Sequence, residues 1–95
     1  MKILGANYEV KYMTQRDSND SGDCDWRFQI IRLQDNYCTE ALLETLIHEV
    51  IEAINIKLQL ELPHPAITSL ASSIFAVMND NGIDLKPLLP ANEGF

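Results

Sequence analysis

Positive charge is scarce in this chain of 95 residues: Lys and Arg number 7 against 14 Asp and Glu, leaving a formal net charge of −7. Phosphate contacts need a basic surface, so the deficit excludes a general nucleic-acid binder. It also opposes docking on an anionic membrane. Long apolar runs are missing as well, and no uninterrupted stretch approaches the roughly 20 residues of a membrane span. No basic segment with an apolar core opens the chain, so a secretory leader is not expected. Cysteine is limited to Cys24 and Cys38, too few for a secreted disulfide scaffold and without a C-x-x-C partner. These absences predict a cytoplasmic protein with reduced thiols, free of nucleic acid and membrane. The length allows a single core.

What is there begins with strand-like sequence. Ile3 and Leu4 precede a turn at Gly5-Ala6-Asn7, and Tyr8, Val10 and Tyr12 then alternate with Glu9 and Lys11. Residues 14–23 are wholly polar and predict an exposed loop. Asp17, Asp20 and Asp23 within it lack the spacing and terminal glutamate of a calcium loop. A second strand is expected from about Cys24 to Gln34. Trp26, Phe28 and Ile30 fall on one face and Ile31 and Leu33 on the other, as in a strand covered on both sides or locally bulged. Trp26, Phe28, Tyr8 and Tyr12 are expected in packing rather than in base stacking.

Thr39 suits a helix N-cap, with Glu40 and Glu44 near the positive end of the dipole. Leu42, Leu43, Leu46, Ile47, Val50, Ile51 and Ile54 recur at helical spacing. The stretch from Ile54 to Leu62 also alternates in strand period, but no Gly or Pro interrupts it before Pro63, which favours a helix to about Leu58. Pro63-His64-Pro65 makes a hinge, with Pro65 suited to the first position of a second helix that Gly82 caps. The expected architecture is α+β: a short antiparallel sheet packed on a two-helix hairpin. Residues 1–84 form the domain and residues 85–95 an extended tail.

Inside the apolar helix run stands His48-Glu49-Val50-Ile51-Glu52. Residues four apart share a helix face, so His48 and Glu52 project side by side and can ligate one divalent metal. Glu49 occupies the place of the general base in the metallopeptidase motif H-E-x-x-H, whose second histidine is here Glu52. A carboxylate in that place weakens the Lewis acidity of zinc and admits harder ions such as Mn²⁺. A catalytic zinc takes three protein ligands, so a third is needed. One candidate is His64. A helix running to residues 58–60 carries its end roughly 10 Å past Glu52, however, which puts His64 at the wrong end of the hairpin. The other is Asp80, which an antiparallel second helix brings to within about a turn of His48. Cys24 and Cys38 are weaker candidates as soft ligands. A serine nucleophile from Ser69, Ser72 or Ser73 with His48 as base has no nucleophile-elbow sequence behind it.

The segment from Thr45 to Asn55 resembles the helix motif T-L-L-H-E-(I/V)-I-(E/H)-A-I-(N/D) of small phage and prophage zincin-like metallopeptidases. The likeness extends to Met1-Lys2-Ile3-Leu4-Gly5 and Tyr8, to Leu60-Glu61-Leu62-Pro63-His64, and to Asp80-Asn81. It implies a zincin-like fold, a bound metal with zinc first, and His48, Glu52 and His64 as ligands with Glu49 as catalytic base. The expected function is a metal-dependent hydrolase acting on a peptide or protein. A second expectation, from another class, is an accessory protein that binds a host or phage protein through its helical hairpin, with a homodimer interface along the second helix.

Overall fold

The structure is a computed structural model that describes residues 1–14 and 20–91. Asp17, of the rejected calcium loop, lies outside the described residues. The elements in chain order are β1 (Lys2–Ile3), β2 (Ala6–Asn7), β3 (Glu9–Met13), β4 (Gly22–Asp25), β5 (Ile30–Gln34), α1 (Thr39–Leu58) and α2 (His64–Asp80), followed by a 3-10 turn at Lys86–Leu88. The α+β class is therefore as expected.

The sheet differs from the expectation in one respect. β1 and β2 form a small antiparallel ladder, and the main sheet has the order β3-β5-β4, with β5 antiparallel to β4 but parallel to β3. The expected single strand from Cys24 to Gln34 is in fact a hairpin that reverses over residues 26–29, with Gln29 at φ 57°. Its return limb inserts between β4 and β3, which makes the sheet mixed rather than wholly antiparallel. The same reversal explains the two-sided apolar pattern. Trp26 and Phe28 sit on the turn, 54% and 70% exposed, whereas Ile31 and Leu33 on the central strand are fully buried.

α1 lies across the sheet and packs on β4 and β5. Leu42, Leu46 and Ala53 meet Ile31, Leu33, Ile3 and Tyr8 in one cluster. Each large side chain removed from water there contributes roughly 1.5–3 kcal/mol before entropy. Gly22 lets β4 press close to α1: a Cβ there would lie 2.6 Å from the Thr45 methyl and 2.8 Å from the Arg32 carbonyl oxygen. Thr39 is the first helical residue, with Cys38 in the cap position and no side-chain cap hydrogen bond. α1 ends at Leu58, where the unbroken sequence predicted.

α2 packs antiparallel on α1, burying Ile67 and Ala71. It starts at His64 with Pro63 as cap, one residue earlier than the Pro65 start predicts. Gly82, at φ 73°, closes its C-terminus: Gly82 N–H donates to Asn79 O at 3.2 Å and Ile83 N–H to Met78 O at 2.9 Å. The tail is held down as far as it is described. Leu89 packs against the core, and the Tyr12 hydroxyl donates to the Pro90 carbonyl at 3.0 Å. Among the described residues no helix is long and apolar enough to cross a membrane.

Candidate metal centre

α1 supplies His48, Glu49 and Glu52, and the fourth residue, His64, opens α2 after the turn that follows. Gln59 adopts the left-handed conformation, φ 53° and ψ 45°. Its N–H donates to Ile56 O at 3.3 Å, and Leu60 N–H donates to Asn55 O at 3.1 Å. This bond pair is the Schellman closure that usually carries glycine. Glu61 turns the chain again at φ 59°. The Asn55 carboxamide then holds Leu62 from both sides, accepting from its N–H at 2.9 Å and donating to its carbonyl at 3.3 Å. Residues 59–63 thus double back along the last turns of α1, and His64 arrives beside Glu52.

One ligand atom from each of His48, Glu52 and His64 lies within 4.8 Å of the others, and this group could hold a metal ion. The two imidazole centroids are 5.0 Å apart with their planes tilted by 59°. An ion with bonds of about 2 Å draws tetrahedral donors to about 3.4 Å from one another, a closure within reach of side-chain rotation. Contrary to the expectation from helix rise, a helix reaching Leu58 does not strand His64, because the connecting segment doubles back along it. Asp80 ends α2 at the opposite end of that helix from His64 and is not in the group. Neither cysteine belongs to it.

The donor chemistry suits a divalent metal ion. Two imidazoles and one carboxylate are a known catalytic ligand set that leaves a position for water. His64 supplies the second imidazole that Glu52 displaces from the helix motif, so the charge of the set is that of the usual arrangement.

Glu49 is 7% exposed. Among the described residues no hydrogen bond to its carboxylate is formed. Burial first, then the negative charges of Glu52, Asp23 and Asp20, push its pKa up to about 8. For His48, burial lowers the pKa, the charge of His64 lowers it further, and Glu52 opposes both. The net lowering favours the neutral imidazole that a metal needs. No protein-family model, curated protein or solved structure matches this chain.

These side chains open on a cavity of about 520 Å³ between α1, β4 and the start of α2. Carboxylates line it, Asp20, Asp23 and Glu44 besides the two in the helix motif, and no Lys or Arg does among the described residues. Asp23 is paired with Arg32 at 2.8 Å. Gly22 and Cys24 on β4, Thr45 on α1, and Thr68 and Ser72 on α2 complete the wall. Of the three serines considered from sequence, only Ser72 reaches it. Gly22 falls in the stretch expected as an exposed loop, and Cys24, weighed only as a soft metal ligand, at the start of an expected single strand, so their shared place on β4 in this wall was not legible from sequence. Burial first, then the nearby acids led by Glu49, push the Cys24 thiol up to about 11.

Proposed function

We propose that this chain is a minimal zinc-dependent hydrolase acting on peptide bonds. The carrying observation is that His48, Glu52 and His64 converge beside the buried Glu49 in one cavity. When bound, zinc supplies a Lewis acid that polarises a carbonyl and lowers the pKa of the water it holds toward about 7. Glu49 is the base that takes a proton from the attacking water and returns it to the leaving amine. A carboxyl with a pKa near the working pH suits both transfers. His48 and His64 would hold the metal through ring nitrogens, and Glu52 would bring one negative charge to it.

The preference for a peptide rests on β4. It is an edge strand with β5 on one side only, and its Gly22, Asp23 and Cys24 line the cavity. An extended peptide can pair with such an edge through main-chain hydrogen bonds, which would lay a scissile bond along α1. A described lining rich in carboxylates favours a peptide with basic residues near that bond.

The alternative, a non-catalytic partner-binding protein, draws on α2. Leu70 and Val77 are 42% and 61% exposed and lie seven residues apart on one helix face. Such a face suits a protein partner or a second copy of the chain.

Elemental analysis of untagged protein separates the two. The hydrolase reading expects about one equivalent of zinc, lost in both His48→Ala and His64→Ala. It also expects Glu49→Gln to retain the metal while cleavage of a mixed peptide library falls by a factor of order 10² or more. No metal uptake with zinc or manganese added, in a folded protein that self-associates through α2, would put the binding reading in its place.

A further inference from the structure

We propose that Asn55 is the positioning residue of this centre: its carboxamide clamps the segment between the helices and so sets His64 against His48 and Glu52. The inference rests on the metal reading above and adds to it a residue that is not itself a ligand. The segment does not double back by its own preference. Gln59 and Glu61 both hold positive φ, 53° and 59°, a region disfavoured for any residue with a Cβ. Apolar burial does little at the turn itself, since Leu58 and Leu60 on either side of Gln59 are 53% and 49% exposed and only Leu62 beyond them is half-buried.

What remains is hydrogen bonding to the end of α1: one bond from Gln59 N–H to Ile56 O and three bonds shared with Asn55. The Asn55 backbone carbonyl accepts from Leu60 N–H at 3.1 Å. Its side chain then takes both polar groups of Leu62, the N–H at 2.9 Å and the carbonyl at 3.3 Å. Leu62 stands two residues before His64, so this double bond to the carboxamide fixes where α2 begins. Asparagine is suited to the task because one short side chain offers an acceptor and a donor together. Aspartate can replace only the acceptor, and alanine neither. His64 itself is exposed and lies between this clamp and the packed start of α2.

The test uses two signals on the whole protein. One is the nuclear Overhauser contact between the His48 and His64 rings in the metal-free state, and the other is zinc affinity by chelator competition. We expect Asn55→Ala to keep the helical circular dichroism but to lose the ring contact and bind zinc at least about tenfold more weakly. Asn55→Asp, which keeps the bond from Leu62 N–H, is expected to fall between alanine and the wild type in both signals. It also serves as the test variant if alanine does not fold. A role in general stability alone would leave the ring contact in place. Wild-type ring contact and zinc affinity in Asn55→Ala would overturn the proposal. A wild-type protein that takes up no zinc would defeat the metal reading, and the ring contact alone would then decide the clamp.

Discussion

Replacing Glu49 with glutamine should stabilise the metal-free protein at alkaline pH and not at acid pH. The Glu49 carboxyl has its pKa raised from the ordinary 4.5 to about 8 in the fold. Between those values the folded state keeps a proton that the unfolded chain releases. Stability therefore falls as pH rises from about 4.5 to about 8, and is level on either side. At about 1.36 kcal/mol per pH unit, ionised Glu49 costs the fold on the order of 5 kcal/mol above pH 8. Glutamine has nearly the same shape and no charge, but its buried amide lacks a partner at about 1–3 kcal/mol. The net gain expected above pH 8 is roughly 2–4 kcal/mol, a large share of the 5–15 kcal/mol that holds a typical domain together. Urea unfolding in the presence of a chelator, at pH 4.5 and pH 9, measures it. Equal midpoints at pH 9, or a wild-type stability that does not fall between pH 5 and pH 8, would refute the reasoning.

The remaining predictions are simpler. Gly22→Ala should cost about 1–3 kcal/mol by calorimetry, because the added methyl meets the Arg32 backbone carbonyl at 2.8 Å and β4 must move off α1. Weaker zinc uptake should accompany it only if β4 helps close the site. Iodoacetamide at pH 7.5 should label Cys38, which is exposed, well before Cys24, which is half-buried with its thiol pushed up to about 11. Peptide mapping by mass spectrometry reads the order, and equal rates would contradict the buried placement of Cys24.

Much of the helical half was legible from local chemistry. The apolar positions from Leu42 to Ile54, the absence of Gly and Pro before Pro63, and Gly82 as a left-handed cap correspond to α1, the end of α1 near Leu58, and the close of α2. The sheet was less legible. Trp26 and Phe28 read as strand residues because aromatic side chains favour strands, yet they stand exposed on a turn whose left-handed residue is Gln29 rather than glycine. Without a glycine or proline to mark it, the reversal left no local signal, and the parallel pairing of β3 with β5 depends on that reversal.

The sequence by itself determined that His48 and Glu52 share a face of one helix, because a period of 3.6 residues leaves no other arrangement. It also determined that Glu49 lies one residue from that pair. Tertiary structure decided whether a third donor joins them. Helix rise carries the chain away from the pair, and only a left-handed turn at Gln59, a second at Glu61 and the grip of Asn55 on Leu62 bring His64 back. Those are hydrogen bonds and backbone angles between residues whose types do not announce them. Burial of Glu49 was decided in the same way: a glutamate on a helix is ordinary until a sheet and a second helix close over it.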